Sequence, residues 1–85
     1  MRYTVEISKE ADKQISRLPK RDQQKVVNAI ISLAENPRPH GYKKLEYYNE
    51  YFRYRVGNYR IIYQIQDNRL FVFVVEVKKR DESTY

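Results

Sequence analysis

The segment FRYRVGNYRIIYQI, residues 52–65, constrains the fold more than any other part of the chain. Apolar and polar residues alternate on both sides of Gly57-Asn58. Such a pair between alternating runs is a strong signal for a two-residue hairpin turn, because glycine enters positive φ without steric cost. With Gly57-Asn58 at the turn centre, Val56 faces Tyr59, Arg55 faces Arg60, Tyr54 faces Ile61 and Arg53 faces Ile62. Cross-strand partners share a face, and side chains alternate along each strand. One face therefore carries Phe52, Tyr54, Val56, Tyr59, Ile61, Tyr63 and Ile65, and is a core face. The other carries Arg53, Arg55 and Arg60 at its turn end. Like charges directly opposite destabilise a hairpin by up to ~1 kcal/mol. The trio is thus a candidate anion site, and arginine suits phosphate because its planar fork donates paired hydrogen bonds. The plainer alternative is a solvated polar face with arginine stems lying over apolar neighbours.

The remaining chain supplies the layer that covers the core face. Residues 2–7 alternate, with Tyr3, Val5 and Ile7 on one side, and read as a short strand. Ser8 is placed to cap a helix whose apolar stripe is Ala11, Ile15 and Leu18. Pro19 ends that helix and opens a second, in which Val26, Val27, Ile30, Ile31, Leu33 and Ala34 form a wide apolar face. Asn36-Pro37 stops it, since the residue before proline avoids the helical region. Residues 43–48 read as a further strand, and Asp67-Asn68 as a second hairpin centre. That turn would put Ile62, Phe71, Phe73 and Val75 on the arginine face, an apolar area beside a basic one. It is covered either by the chain itself or by a partner. The expected architecture is α+β: a small antiparallel sheet of about four to five strands with two N-terminal helices on one face. At 85 residues the chain is expected to be a single domain, residues 1–85.

The formal charge of +6 favours phosphate polymers, anionic membranes or an acidic protein as partners. The apolar run at residues 70–75 is far short of the ~20 residues of a membrane span, and the N-terminus has no apolar signal-peptide core. With no cysteine, disulfides and thiolate metal sites are excluded, and a cytoplasmic setting fits.

The order NPRPHGYKKL, then YFRYRVGNYRIIYQIQDNRLFVFVVEVKKR, then Tyr85, resembles the RelE toxins of bacterial and archaeal toxin–antitoxin pairs. The resemblance implies an endoribonuclease that enters the ribosomal A site and cuts messenger RNA; no cofactor or metal is expected, since Glu46 and Glu50 are too few and too near basic neighbours to suggest a metal site. It also implies a RelB-like antitoxin that wraps the toxin as an extended, partly helical segment. Carried over residue by residue, it assigns the catalytic set to Arg53 and Arg55 before the hairpin turn, Arg60 after it, Arg80 at the end of the last strand and Tyr85 beyond. The best-known member of the family has lysines where this chain has Arg53 and Arg55. Many relatives read Gly-His-Arg where it has Lys78-Lys79-Arg80, and the glycine expected after Leu45 is Glu46.

Cleavage by the RNA's own 2′-hydroxyl requires that a proton be removed, a crowded phosphate stabilised and the leaving 5′-oxygen protonated. The one histidine, His40, lies in a proline-flanked loop and reads as a surface residue. Arginine is a poor general base. Tyr85 is the candidate acceptor, its pKa lowered by nearby cations; alternatively it stacks on a base. Arg80 is placed to assist the leaving oxygen. Lys9, Lys13, Lys20, Arg21 and Lys25 on the helices, with Lys43, Lys44, Lys78 and Lys79, are candidate contacts to ribosomal and messenger RNA. Two other readings share the fold or the charge: a ParE-like inhibitor of DNA gyrase that cleaves nothing, and a non-catalytic nucleic-acid-binding module.

Overall fold

The computed structural model describes residues 2–46 and 50–79. In chain order these form β1 (Thr4–Ile7), α1 (Lys9–Ser16), α2 (Lys20–Glu35), β2 (Lys43–Lys44), β3 (Tyr51–Val56), β4 (Tyr59–Gln66) and β5 (Phe71–Lys79). The strands make one sheet in the order β1-β5-β4-β3-β2. The last four strands in the chain pair antiparallel as expected, and β1 joins the edge of β5 in parallel, which makes the sheet mixed.

Both helices lie on one face and bury their stripes there. Ala11, Ile15, Val26, Ile30 and Leu33 pack against Tyr59, Ile61, Tyr63, Ile65, Val72, Val74 and Val77. The Ser8 hydroxyl accepts from the Ala11 N–H at 3.0 Å and caps α1. Gln23 closes the other end, donating to the carbonyls of Ser16 and Leu18 at 3.2 and 2.9 Å. Ile31 departs from the expected apolar face. It is 53% exposed, because its step of about 100° from Ile30 turns it away from the sheet.

The Gly57-Asn58 hairpin has the register read from the sequence, from Val56 opposite Tyr59 to Arg53 opposite Ile62, and Gly57 has φ 58°. The second hairpin differs. Asp67–Arg69 form a turn of 3-10 helix and Leu70 takes a left-handed conformation, so Gln66 pairs with Phe71. The connection is longer than the expected two-residue centre by an even number, which leaves Phe71 and Phe73 on the arginine face. A bulge then changes the phase. Tyr63 pairs with Val74 but Ile62 pairs with Glu76, so Val75 is the extra residue and has no partner in the β4 ladder. Beyond it Val77 turns into the core and Lys78 turns to the arginine side.

Of the strand expected over residues 43–48, Lys43–Lys44 joins the sheet and Leu45 and Glu46 do not. The chain must reverse into β3 within a few residues, and Leu45, 5% exposed, closes that reversal with its N–H on the Tyr51 carbonyl at 2.9 Å. Tyr47 and Tyr48 lie outside the described residues. Among the described residues no helix is long and apolar enough to cross a membrane.

Candidate functional site

The sheet face opposite the helices carries the site, and the register assembles it in rows. At the hairpin end, Arg55 lies opposite Arg60 and Arg60 opposite Lys78, so three strands place cations side by side. One step inward, Lys43 pairs with Arg53, Arg53 with Ile62, and Ile62 with Glu76. Strands are ~4.8 Å apart and same-face residues along a strand ~7 Å apart. Lys43, Arg53, Arg55, Arg60 and Lys78 thus crowd one end of one face. Ile62 is 2% exposed and forms the apolar floor over which long cationic stems can lie.

The crowding is visible in the titration of Arg53. Its pKa lies below the ordinary arginine value, first because the side chain is partly buried and then because Arg55 and Arg60 are near. Burial and like charge both disfavour a cation, and an approaching anion offsets the like-charge repulsion. Arg60 is half-buried, with its Nε out of reach of solvent. Glu76 is a carboxylate in this set, and its Oε2 lies 3.5 Å from Lys78 Nζ. Neither Glu76 nor the approach of Lys78 to Arg60 follows from a regular strand; both depend on the bulge at Val75.

A cleft of about 810 Å³ opens beside Arg60, between the α1–α2 corner and the hairpin tip. Arg17, Arg60 and Lys79 bring positive charge to it, with Pro19, Asp22 and Tyr59 on its walls. The Tyr59 hydroxyl donates to Asp22 Oδ2 at 2.6 Å. This bond raises the Tyr59 pKa, followed by burial and by the charge of Asp22. The bond ties the residue before Arg60 to the first turn of α2, and so fixes the hairpin tip against the helix layer.

The expected site residues divide by side. Arg53, Arg55, Arg60, Lys43 and Lys78 share the face. Lys44 and Lys79 pair with Phe52 and Tyr59, residues of the core face; Lys79 still borders the cleft. Lys9, Lys13, Lys20, Arg21 and Lys25 are all exposed on the helix layer, across the sheet from the arginines. Arg80 and Tyr85 lie outside the described residues. Sequence reasoning missed Arg17, Glu76 and Asp22. Asp22 carried no signal until its partner Tyr59, distant in the chain, was known.

Comparisons with known proteins agree on one family. The family described as ParE toxin of type II toxin–antitoxin system, parDE, matches residues 5–84. A putative RelE-like toxin protein of Escherichia coli is 31% identical over 84 residues, covering 98% of this chain and 88% of the relative. Among solved structures, the archaeal RelE–RelB complex of Pyrococcus horikoshii is similar with TM-score 0.84 and 27% identity, over 98% of this chain and 100% of that one. A RelBE toxin–antitoxin complex of Mycobacterium tuberculosis is similar with TM-score 0.82 and 29% identity, over 94% and 100%. A mutant of the E. coli toxin RelE in the free state gives 0.80 and 25%, over 98% and 88%.

Proposed function

Because the chain belongs to the RelE/ParE family of type II toxin–antitoxin toxins, we propose that it is a ribosome-dependent endoribonuclease that cuts messenger RNA in the A site. The observation that carries this reading is the convergence of Arg53, Arg55 and Arg60 on one end of one sheet face. Three guanidinium groups held together by the strands are suited to a phosphate that gains charge and bulk as it becomes five-coordinate.

In the reaction the 2′-oxygen attacks the adjacent phosphorus, the O2′–P bond forms and the P–O5′ bond breaks. The proton of the 2′-hydroxyl passes to an acceptor and another reaches the departing 5′-oxygen. Arg53, Arg55 and Arg60 hold the non-bridging oxygens. Tyr85 is the proposed acceptor and Arg80 the group at the leaving oxygen, both being residues that the family resemblance puts in the catalytic set. A set dominated by arginine stabilises charge well and moves protons poorly. The ribosome therefore supplies what the protein lacks, by orienting the message for in-line attack. The exposed cations of the helix layer hold ribosomal RNA on the other side of the sheet.

An antitoxin of RelB type is the proposed neutralising partner, since relatives of the same fold are solved as RelB complexes. The groove of about 460 Å³ between β1 and α2 suits its apolar part. It is lined by Val5, Ile7, Ile30 and Ile31, and runs along an edge strand.

Purified toxin is incubated with naked RNA and with programmed ribosomes. Message is cut on ribosomes and hardly at all when naked, and Arg60→Ala lowers ribosomal cleavage by about 10²–10³. Equal cleavage of both substrates overturns ribosome dependence. The match to a ParE family supports one other reading, inhibition of DNA gyrase. Loss of supercoiling in a gyrase assay, with intact message on ribosomes, selects it.

A further inference from the structure

We propose that the arginine face continues into a stacking platform, Phe71 and Phe73, which holds bases of the same single-stranded RNA a few nucleotides from the cut. The register puts both rings on this face: Gln66 pairs with Phe71 and Gln64 with Phe73, on the strand whose Arg60 and Ile62 belong to the site. The two rings are nearly parallel, 12° apart with centroids at 6.4 Å. The Arg69 guanidinium lies 5.0 Å from the Phe71 ring centroid and donates to Gln66 Oε1 at 2.9 Å. Among the described residues both helices cover the opposite face.

The chemistry of the occupant follows from what alternates along the face. Cations stand at one end, in the row of Arg55, Arg60 and Lys78, and again at the other, in Arg69. Flat apolar rings and the amides of Gln64 and Gln66 lie between. Gln66 lies six positions along β4 from Arg60, a length of ~20 Å at ~3.4 Å per residue. An apolar protein segment would use the rings but not the cations at both ends. A single strand of RNA uses all three features: phosphates on the arginines, bases on the rings, base edges on the amides. Sheet-face aromatics that stack splayed bases are an established mode of single-strand recognition. Glu6, beside Phe73 at the β1 border, opposes the strand electrostatically. The platform rests on the ribonuclease reading for the identity of its strand.

The test uses the full chain and 2′-O-methyl RNA oligonucleotides, which bind but cannot be cut, in a series of increasing length at fixed salt. Wild-type affinity rises in a step when the oligonucleotide becomes long enough to reach from Arg60 to Phe73. In Phe71→Leu/Phe73→Leu, which keeps apolar bulk for packing, the step falls by about tenfold per base stacked. Phe71→Tyr/Phe73→Tyr keeps it, and Glu6→Gln enlarges it. The proposal is overturned by a wild type without the step, by leucine variants that retain it, or by tyrosine variants that lose it as the leucine ones do. If the step is present but message on ribosomes stays whole, the ribonuclease reading fails and the platform stands as a binding site. If message is cut and the step is absent, the platform alone fails.

Discussion

Glu76 sets the charge balance of the site at the level of a single residue. It stands in register beside Ile62, with Arg53 on the far side of that isoleucine and Lys78 two residues on. Its carboxylate, 3.5 Å from Lys78 Nζ, offsets part of the positive potential that a phosphate is to meet. In the proposed mechanism the proton acceptor is Tyr85, and Glu76 acts only through its charge. Glu76→Gln therefore strengthens binding of uncleavable RNA by a few-fold and steepens the salt dependence, while ribosomal cleavage persists. A fall in cleavage by ~10²–10⁴ would instead give Glu76 the role assigned to Tyr85. Parallel single-turnover and binding measurements separate the two.

The bulge in β5 is an element-scale device with an identifiable cause. The Ser8 hydroxyl donates to the Val75 carbonyl at 2.7 Å while accepting from the Ala11 N–H, and the Val77 N–H donates to Gln14 Oε1 at 2.6 Å. One serine thus starts α1 and satisfies a backbone group that the bulge removes from the ladder. Ser8→Ala loses the cap and that second bond, and costs about 1–3 kcal/mol. Thermal unfolding registers this as a drop of several degrees or more in Tm, given ~4–8 °C per kcal/mol for a domain of this size. An unchanged Tm would mean the bulge holds without Ser8. The same elements mark the limit of what the sequence displayed. The first hairpin was legible residue by residue, because turn chemistry and alternation both lie within FRYRVGNYRIIYQI. The helix caps and stripes were legible for the same local reason. The bulge was not, since its partners Ser8 and Gln14 lie more than sixty positions upstream of the groups they bind, |i−j| being 67 and 63. Regular alternation along β5 would set Val77 and Lys79 on the arginine face, where the bulge sets Glu76 and Lys78.

At the scale of the whole molecule, a clasp of three polar residues joins the start of β1, the loop after α2 and the β4–β5 turn. Asp67 accepts from the Tyr3 hydroxyl at 2.6 Å and from Arg38 through both carboxylate oxygens at 3.1 and 2.7 Å. These bonds hold the ends of the sheet and the loop under Tyr63, whose hydroxyl donates to the Pro37 carbonyl at 2.7 Å. They also leave the arginine face untouched, so shape and charge can be perturbed separately. Hydrogen bonding by Arg38, then by Tyr3, draws the Asp67 pKa down from 3.8 to about 2. A group whose folded pKa is depressed stabilises the fold above its unfolded pKa, and that contribution is lost as pH falls through the folded value. The clasp is therefore intact above about pH 4 and released on approach to about pH 2. Asp67→Asn keeps the shape but cannot be a carboxylate, so its deficit against wild type is constant from pH 5 to 8, shrinks below pH 4 and closes near pH 2. Urea unfolding midpoints of the two proteins across that range measure the gap. A gap that persists undiminished in acid would show that Asp67 contributes through packing rather than charge. Binding of an oligonucleotide too short to reach from Arg60 to Phe73 is unchanged at neutral pH in the same variant, because its register still sets Arg53, Arg55 and Arg60 on one face.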